Sequence, residues 1–249
     1  MKIVQCLTAS HQKRFGVLNP FQETIQLFEQ DPFETFPEFR LSSEIISKES
    51  IQLLAPCTPS KIIGIGLNYR DHIQEMKKEI PAEPLIFLKA PSALNGPECP
   101  IVLPPESVQV EYEGELAFVI GKTAKRVSVA EASSYILGYS CFNDVTARDL
   151  QKRDVQFARA KSFDSFACFG PFIETALDPT NLKLQTRVDG QIRQNSSTEN
   201  LIFKVPFLLA YLSQMMTLYP GDIVATGTPS GVAPLKVGQT IEIEIEGIG

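Results

Sequence analysis

Between Val108 and Gly121 the chain reads Val-Gln-Val-Glu-Tyr-Glu-Gly-Glu-Leu-Ala-Phe-Val-Ile-Gly, the longest strand signal in the sequence. Side chains alternate across a strand, so Glu111, Glu113 and Glu115 project from one face while Tyr112, Leu116, Phe118 and Ile120 project from the other. Any fold that accepts this strand has to give three like charges either water or counter-charge. A solvated sheet face is one solution, because the repulsion is mild and screened there. A divalent cation is the other. Hard carboxylate oxygens select Mg²⁺, Mn²⁺ or Ca²⁺, and Mg²⁺ takes a few carboxylates while keeping water or substrate in its remaining positions. Gly114, with no side chain on the back face, permits a bend that would converge Glu113 and Glu115.

The rest of the chain predicts many short strands and few helices, an α+β, mostly β architecture. Residues 1–55 carry short apolar pieces (Ile3 to Leu7, Phe15 to Leu18, Thr24 to Phe28) and a polar stretch punctuated by proline, and read as a small β-rich N-terminal subdomain. Pro56 and Pro59 mark a linker, and the main domain spans residues 61–249. There, Ile62 to Gly66 reads as a buried strand and Tyr69 to Met76 as a short helix. A strand ending in Lys89 follows, then the acidic strand, a helix over Ser128 to Tyr135 opened by a serine cap, and a strand over Leu137 to Asn143. A hairpin turns at Asp189-Gly190, an apolar helix covers Pro206 to Met216, and strands near Asp222 to Thr226 and Thr240 to Glu246 close the chain.

Composition narrows the function. With 23 Lys and Arg against 29 Asp and Glu, the formal net charge is −6 and no basic run is present, which removes the main attraction to nucleic acid or anionic lipid. The five cysteines are scattered and form no C-x-x-C pair, as expected of a reducing compartment. The opening residues are too short and too weakly charged for a signal peptide, and no window reaches the length of a membrane span, so a cytoplasmic protein is expected. Small-molecule or metal chemistry is the remaining class. There is no phosphate-binding G-x-x-x-x-G-K-[ST] loop, Gly64-Ile65-Gly66 does not continue as G-x-G-x-x-G, and Gly227-Thr228-Pro229-Ser230-Gly231 puts proline where a nucleophile elbow needs serine.

A third cation ligand has to come from elsewhere. Asp144 stands at a strand end just before a helix starting near Thr146, where it either binds metal or caps that helix. Of the two histidines, His11 lies in a polar turn, whereas His72 precedes Glu75 by three residues. That spacing stacks imidazole on carboxylate along a helical turn, which makes either half of a general-base dyad or an ordinary surface contact. Lys161, in an aromatic and small-residue stretch, is either buried near an anion or a snorkelling surface lysine. Thr226 to Gly231 either turns backbone N–H groups toward an anion or is a plain turn.

Together these segments resemble the fumarylacetoacetate hydrolase family, in the short bacterial-type branch of acylpyruvate hydrolases, oxaloacetate decarboxylases or tautomerases, and homoprotocatechuate-pathway isomerase/decarboxylases. The matching pieces are Gly66-Leu67-Asn68-Tyr69 with Asp71-His72, Glu113-Gly114-Glu115-Leu116, Asn143 to Asp149, Lys161-Ser162-Phe163-Asp164 and Thr226-Gly227-Thr228-Pro229, in the family's order from Lys61 onward. The resemblance implies a β-roll core of mixed sheets, a homodimer, and Mg²⁺ or Mn²⁺ (with Ca²⁺ an option) bound by Glu113, Glu115 and Asp144. It adds Lys161 to His72 and Glu75 in catalysis, and Arg148, Gln151 and Thr228 as substrate contacts. Glu111 falls outside the implied ligand set. Residues 1–55 resemble only the variable N-terminal region of larger members, and the sequence ends at Gly249 where relatives continue for a short strand or tail.

The chemistry so implied is C–C cleavage or decarboxylation of a 2-oxo or 2,4-dioxo acid, such as an acylpyruvate or oxaloacetate, through a stabilised enolate. The dyad favours hydrolysis or decarboxylation. Keto–enol tautomerisation of a 2-oxo dicarboxylate, hydrolysis of a 2,4-diketo-3-deoxy sugar acid, and a non-catalytic binding protein on the same fold are the alternatives.

Overall fold

A computed structural model describes residues 1–249. The chain opens with strands β1 (Lys2–Leu7), β2 (Lys13–Asn19) and β3 (Thr24–Phe28), the single turn α1 (Pro32–Thr35), and strands β4 (Leu41–Ser47) and β5 (Gln52–Leu54). Next come β6 (Ile62–Gly66), α2 (Arg70–Glu75), β7 (Leu85–Lys89), β8 (Leu94–Asn95), β9 (Val110–Glu111), β10 (Gly114–Ile120), β11 (Ile136–Asp144) and β12 (Thr146–Ala147). Helices α3 (Arg148–Asp154) and α4 (Ala158–Lys161) precede β13 (Ala167–Glu174), β14 (Lys183–Val188) and β15 (Gln191–Ser197). Helix α5 (Val205–Met215) and strands β16 (Ile223–Ala225) and β17 (Ile241–Ile245) complete the order.

The main sheet runs β4-β3-β2-β1-β13-β11-β10-β16-β6-β7, with β5 added on β1 and β8 on β13. It is mixed, since β16 pairs with β6 and β13 with β8 in parallel while the other pairs are antiparallel. β1 sits between β2 and β13, so the first strands extend the same sheet, and Ala55, Pro56, Cys57 and Pro59 are buried rather than forming an exposed connection. A three-stranded sheet, β15-β14-β17, packs behind β10, and β9 and β12 form a separate two-stranded sheet. The last strand is well held: β17 pairs along β14, and Ile245 and Ile248 are buried. No helix is long and apolar enough to cross a membrane.

The centre of the fold is β10, all seven of whose residues are buried. Leu116, Phe118 and Ile120 enter one apolar cluster with Ile63, Ile65, Val224 and the inner side of α5, and Ala117 and Val119 enter a second with Leu137, Phe142 and Ile173 on the opposite face. A strand covered on both faces has no wet side, which disposes of the solvated-face reading of its acidic end.

Two local expectations are corrected. The strand from Val108 to Gly121 is not continuous: the ladder breaks at Tyr112 and Glu113, where the chain passes from β9, paired with β12, to β10. The break arises because Asn143 Oδ1 accepts the Glu113 N–H at 3.1 Å and Glu113 O accepts the Asp144 N–H at 2.9 Å, which ties this corner to the end of β11. The helix over Ser128 to Tyr135 is only a 3₁₀ turn at Ala132–Tyr135, and the Ser128 hydroxyl bonds the Glu131 carboxylate at 2.6 Å and caps no backbone N–H.

Candidate active site

The site is assembled by strand register. Gly114 pairs with Asn143 and Glu115 with Phe142, so Asp144 at the end of β11 stands across from Glu113 on the same side of the sheet. One carboxylate oxygen from each of Glu113, Glu115 and Asp144 lies within 4.8 Å of the others, and all three residues are buried. Asp144 does not cap α3, whose first flanking residue is Ala147.

Cations surround two of these acids and not the third. Lys161, at the end of α4 and 2% exposed, donates to Glu113 Oε2 at 2.8 Å and to Asp144 Oδ2 at 2.5 Å. Lys89, at the end of β7, donates to Asp144 Oδ1 and, at 3.1 Å, to Val145 O. Arg148 bridges Glu111 Oε2 at 2.7 Å and Glu113 Oε1, and reaches Gln151 Oε1 at 2.5 Å. Glu115 receives only the Gly227 N–H at 2.8 Å. Gly227 can make that approach because it has φ +101°, and a Cβ there would stand 2.9 Å from Asn68 Cβ.

Protonation follows from these surroundings. Burial disfavours the charged form of Glu113, but Lys161 and Arg148 outweigh it and hold this carboxyl far below the ordinary carboxylate value. Burial raises Glu115, the neighbouring Asp144 and Glu113 charges raise it further, and its carboxyl stands well above the ordinary value. Burial likewise opposes the Lys161 ammonium, yet Asp144 and Glu113 carry its pKa above that of a free lysine. Fully ionised, Glu111, Glu113 and Asp144 bond Lys89, Arg148 and Lys161, whereas Glu115 bonds no cationic side chain. A divalent cation on Glu113, Glu115 and Asp144 fits this all-oxygen donor set, because each carboxylate oxygen keeps a further lone pair.

A cavity of about 320 Å³ opens over the cluster. Glu113, Glu115, Lys161, Arg148, Gln151 and Thr228 line it, and so does His72 on α2. Glu75 Oε2 is 3.2 Å from His72 Nδ1 and also accepts the Gly231 N–H, so the imidazole is oriented from behind and Nε2 has no protein partner. Leu85, Phe87 and Phe157 form an apolar wall, with the Phe87 and Phe157 rings edge to face at 5.7 Å and the Lys161 ammonium 4.6 Å from the Phe87 centroid. Glu113, Glu115, Asp144, His72, Glu75, Lys161, Arg148, Gln151 and Thr228 are therefore at or beside this cavity, whereas His11 lies in the exposed turn between β1 and β2. Sequence reasoning missed Lys89, whose only signal was a lysine closing an apolar strand, and Gln194, which had none. Glu111 is neither solvated nor in the acidic cluster, but buried against Arg148.

The model described as Fumarylacetoacetate (FAA) hydrolase C-terminal matches residues 61–249, and that described as Rv2993c-like, N-terminal matches residues 1–56. The chain belongs to the fumarylacetoacetate hydrolase family. Among its relatives, the mitochondrial oxaloacetate tautomerase Fahd2a of Rattus norvegicus is 43% identical over 82% of this chain and 69% of its own length. The crystal structure of 2-hydroxyhepta-2,4-diene-1,7-dioate isomerase from Mycobacterium marinum superposes with TM-score 0.92 at 38% identity, covering 100% of this chain and 95% of that one. Maleylpyruvate hydrolase from Sphingobium sp. SYK-6 gives TM-score 0.80 at 31% identity, covering 100% and 97%. The mostly β architecture of mixed sheets is thus the fumarylacetoacetate hydrolase fold.

Proposed function

We propose that this fumarylacetoacetate hydrolase family member is a divalent-metal-dependent enzyme that cleaves or decarboxylates a small 2-oxo or 2,4-dioxo acid beside its ketone, through an enolate. The observation that carries this reading is the buried triad of Glu113, Glu115 and Asp144, with Glu115 lacking a cationic partner, at the floor of a cavity that also holds His72. Mg²⁺ or Mn²⁺ held by those three residues supplies Lewis-acid stabilisation of charge developing on a keto oxygen.

The chain's own groups do the rest. Lys161 places a buried ammonium beside the same carboxylates, where developing negative charge is met in a poorly screened environment. Arg148, with Gln151 fixing one end of its guanidinium, offers the cavity a cationic edge for a substrate carboxylate. His72, oriented by Glu75, takes a proton from water through Nε2. The resulting hydroxide adds to the distal carbonyl, the carbon–carbon bond breaks, and its electron pair passes onto the carbon next to the 2-oxo group as the enolate. Protonation of that carbon releases the 2-oxo acid. In decarboxylation the same electron pair is left by departing CO₂. The apolar wall of Leu85, Phe87 and Phe157 limits competing water.

Tautomerisation is the second reading, favoured by the oxaloacetate tautomerase relatives. It needs only movement of a proton between carbon and the enolate oxygen, a task within reach of His72. The test is a turnover screen of Mg²⁺- and Mn²⁺-loaded protein against acetylpyruvate, fumarylpyruvate, oxaloacetate and a 2,4-diketo-3-deoxy acid. Release of pyruvate from a dioxo acid or of CO₂ from oxaloacetate supports the first reading, and accelerated loss of enol absorbance alone supports the second. No turnover of any of the four with either metal would overturn both.

A further inference from the structure

Behind the acidic corner, Gln194 of β15 is fully buried and its amide is used at both ends. Gln194 Oε1 accepts the Gly114 N–H at 3.0 Å, while Nε2 donates to Thr228 Oγ1 at 2.8 Å and to Pro229 O at 2.9 Å. Only one orientation of the amide satisfies this set, because the reverse would oppose donor to donor at Gly114 and acceptor to acceptor at Pro229. A hydroxyl has one proton and two lone pairs. With one lone pair of Thr228 Oγ1 taken by Gln194, its proton goes to Gly114 O at 2.9 Å. What Oγ1 has left is one lone pair and no proton. Thr228 lines the cavity, and no protein acceptor takes its backbone N–H.

We propose that Gly114 O, taking the proton, and Gln194, filling one lone pair, together hold the Thr228 hydroxyl as a pure acceptor toward the cavity, so that the site favours ligands presenting an O–H there: the enol rather than the keto form of a 2-oxo acid. The inference rests on the functional reading above and sharpens it. A keto or carboxylate oxygen set against Oγ1 meets lone pair with lone pair, whereas an enol O–H completes the hydroxyl's bonding. The carboxylate end of the ligand finds donors elsewhere, in Arg148, Lys161 and the Thr228 N–H. Thr228 is thus the ligand contact, and Gln194 is a positioning residue that acts through it.

The test is calorimetric binding of two small chelating acids to the Mg²⁺-loaded full chain. Glycolate carries a hydroxyl where oxalate carries a second carboxylate. Thr228→Val, which keeps the shape and removes the acceptor, is expected to weaken glycolate about five- to tenfold, the worth of one neutral hydrogen bond, and to change oxalate by less than about twofold. Thr228→Ser should bind both as the wild type does. Gln194→Met, which leaves Gly114 O as the one partner holding the hydroxyl, should lower glycolate affinity relative to oxalate when Thr228 is present and leave that ratio unchanged in the Thr228→Val background. Oxalate weakened as much as glycolate by Thr228→Val, or a Gln194→Met effect of equal size in both backgrounds, would overturn the inference alone. If Gln194→Met does not fold, the valine and serine variants decide. Failure of the wild type to bind either acid would instead overturn the functional reading, and this inference with it.

Discussion

Gly114 separates Glu113 and Glu115, two of the three acidic residues of the candidate metal site, and the structure gives a number for what it does. A Cβ built there would lie 2.2 Å from Thr186 Oγ1, 3.0 Å from Gln194 Oε1 and 3.4 Å from Ile243 Cγ1. Ordinary contact begins at 3.4 Å, so Gly114→Ala makes the Thr186 hydroxyl give way by 1.2 Å, the difference between 3.4 and 2.2 Å, through rotation of that buried side chain or displacement of β10 from β14. β14 cannot retreat freely, because β15 and β17 hold it on both edges. Overpacking of this kind costs about 1–3 kcal/mol. For a chain of this size that lowers Tm by about 2–12 °C, at roughly 2–4 °C per kcal/mol. The same displacement moves Glu113 or Glu115, and Mg²⁺ tolerates little departure from octahedral geometry, so its affinity should fall about 10–100-fold. Thermal unfolding and titration calorimetry with Mg²⁺ read the two effects separately. The Gly114→Ala, Thr186→Ala double variant removes the closest clashing atom and should recover most of both losses. A single variant with wild-type Tm and Mg²⁺ affinity, or a double variant no better than the single, would refute this account of how the acidic corner is shaped.

His72→Ala should lower turnover of the preferred 2-oxo acid by about 10²–10⁴-fold while Mg²⁺ affinity stays at the wild-type value, a split that kinetics and calorimetry together would reveal. Lys89→Met breaks a buried pair with Asp144 and should cost about 3–5 kcal/mol in metal-free protein. Mg²⁺ restores the missing positive charge, so the Mg²⁺-induced rise in Tm should exceed that of the wild type, and an equal or smaller rise counts against the ion's placement. Because Glu115 titrates above its unfolded value, the metal-free protein has a stability contribution that is complete below the ordinary carboxylate range and lost as pH rises through the folded-state value. Glu113, held low against burial by Lys161 and Arg148, works in the opposite direction and only at more acid pH. An ion needs Glu115 ionised, so the Mg²⁺-induced rise in Tm should grow from mildly acid to mildly alkaline buffer; a constant or shrinking rise contradicts the assignment.

Much of the site was legible because its parts are local and periodic. Glu113 and Glu115 share a face by alternation, His72 and Glu75 stack by helical spacing, and Asp144 sits at a strand end. The break at Tyr112 and Glu113 was not legible, since it is made by Asn143, thirty residues away, whose side chain competes for the strand's own N–H. Lys89 and Gln194 escaped for a similar reason: each matters only through tertiary partners, Asp144 in one case and Gly114 with Thr228 in the other. The solvated-face alternative for the acidic strand was open until the sheet was seen to be covered on both sides, a property of packing rather than of pattern. Likewise the Ser128 hydroxyl had two partners within reach, and bonded the Glu131 carboxylate.

Glu113, Glu115 and Asp144 are proposed to hold one divalent ion. Mn²⁺ titration of the metal-stripped protein, followed by electron paramagnetic resonance, measures this directly. One tightly bound Mn²⁺ per chain is predicted, lost in Glu115→Gln, a variant of the same shape that keeps an acceptor for the Gly227 N–H and so should fold. Binding of equal affinity in that variant, or no bound Mn²⁺ in the wild type, would contradict it.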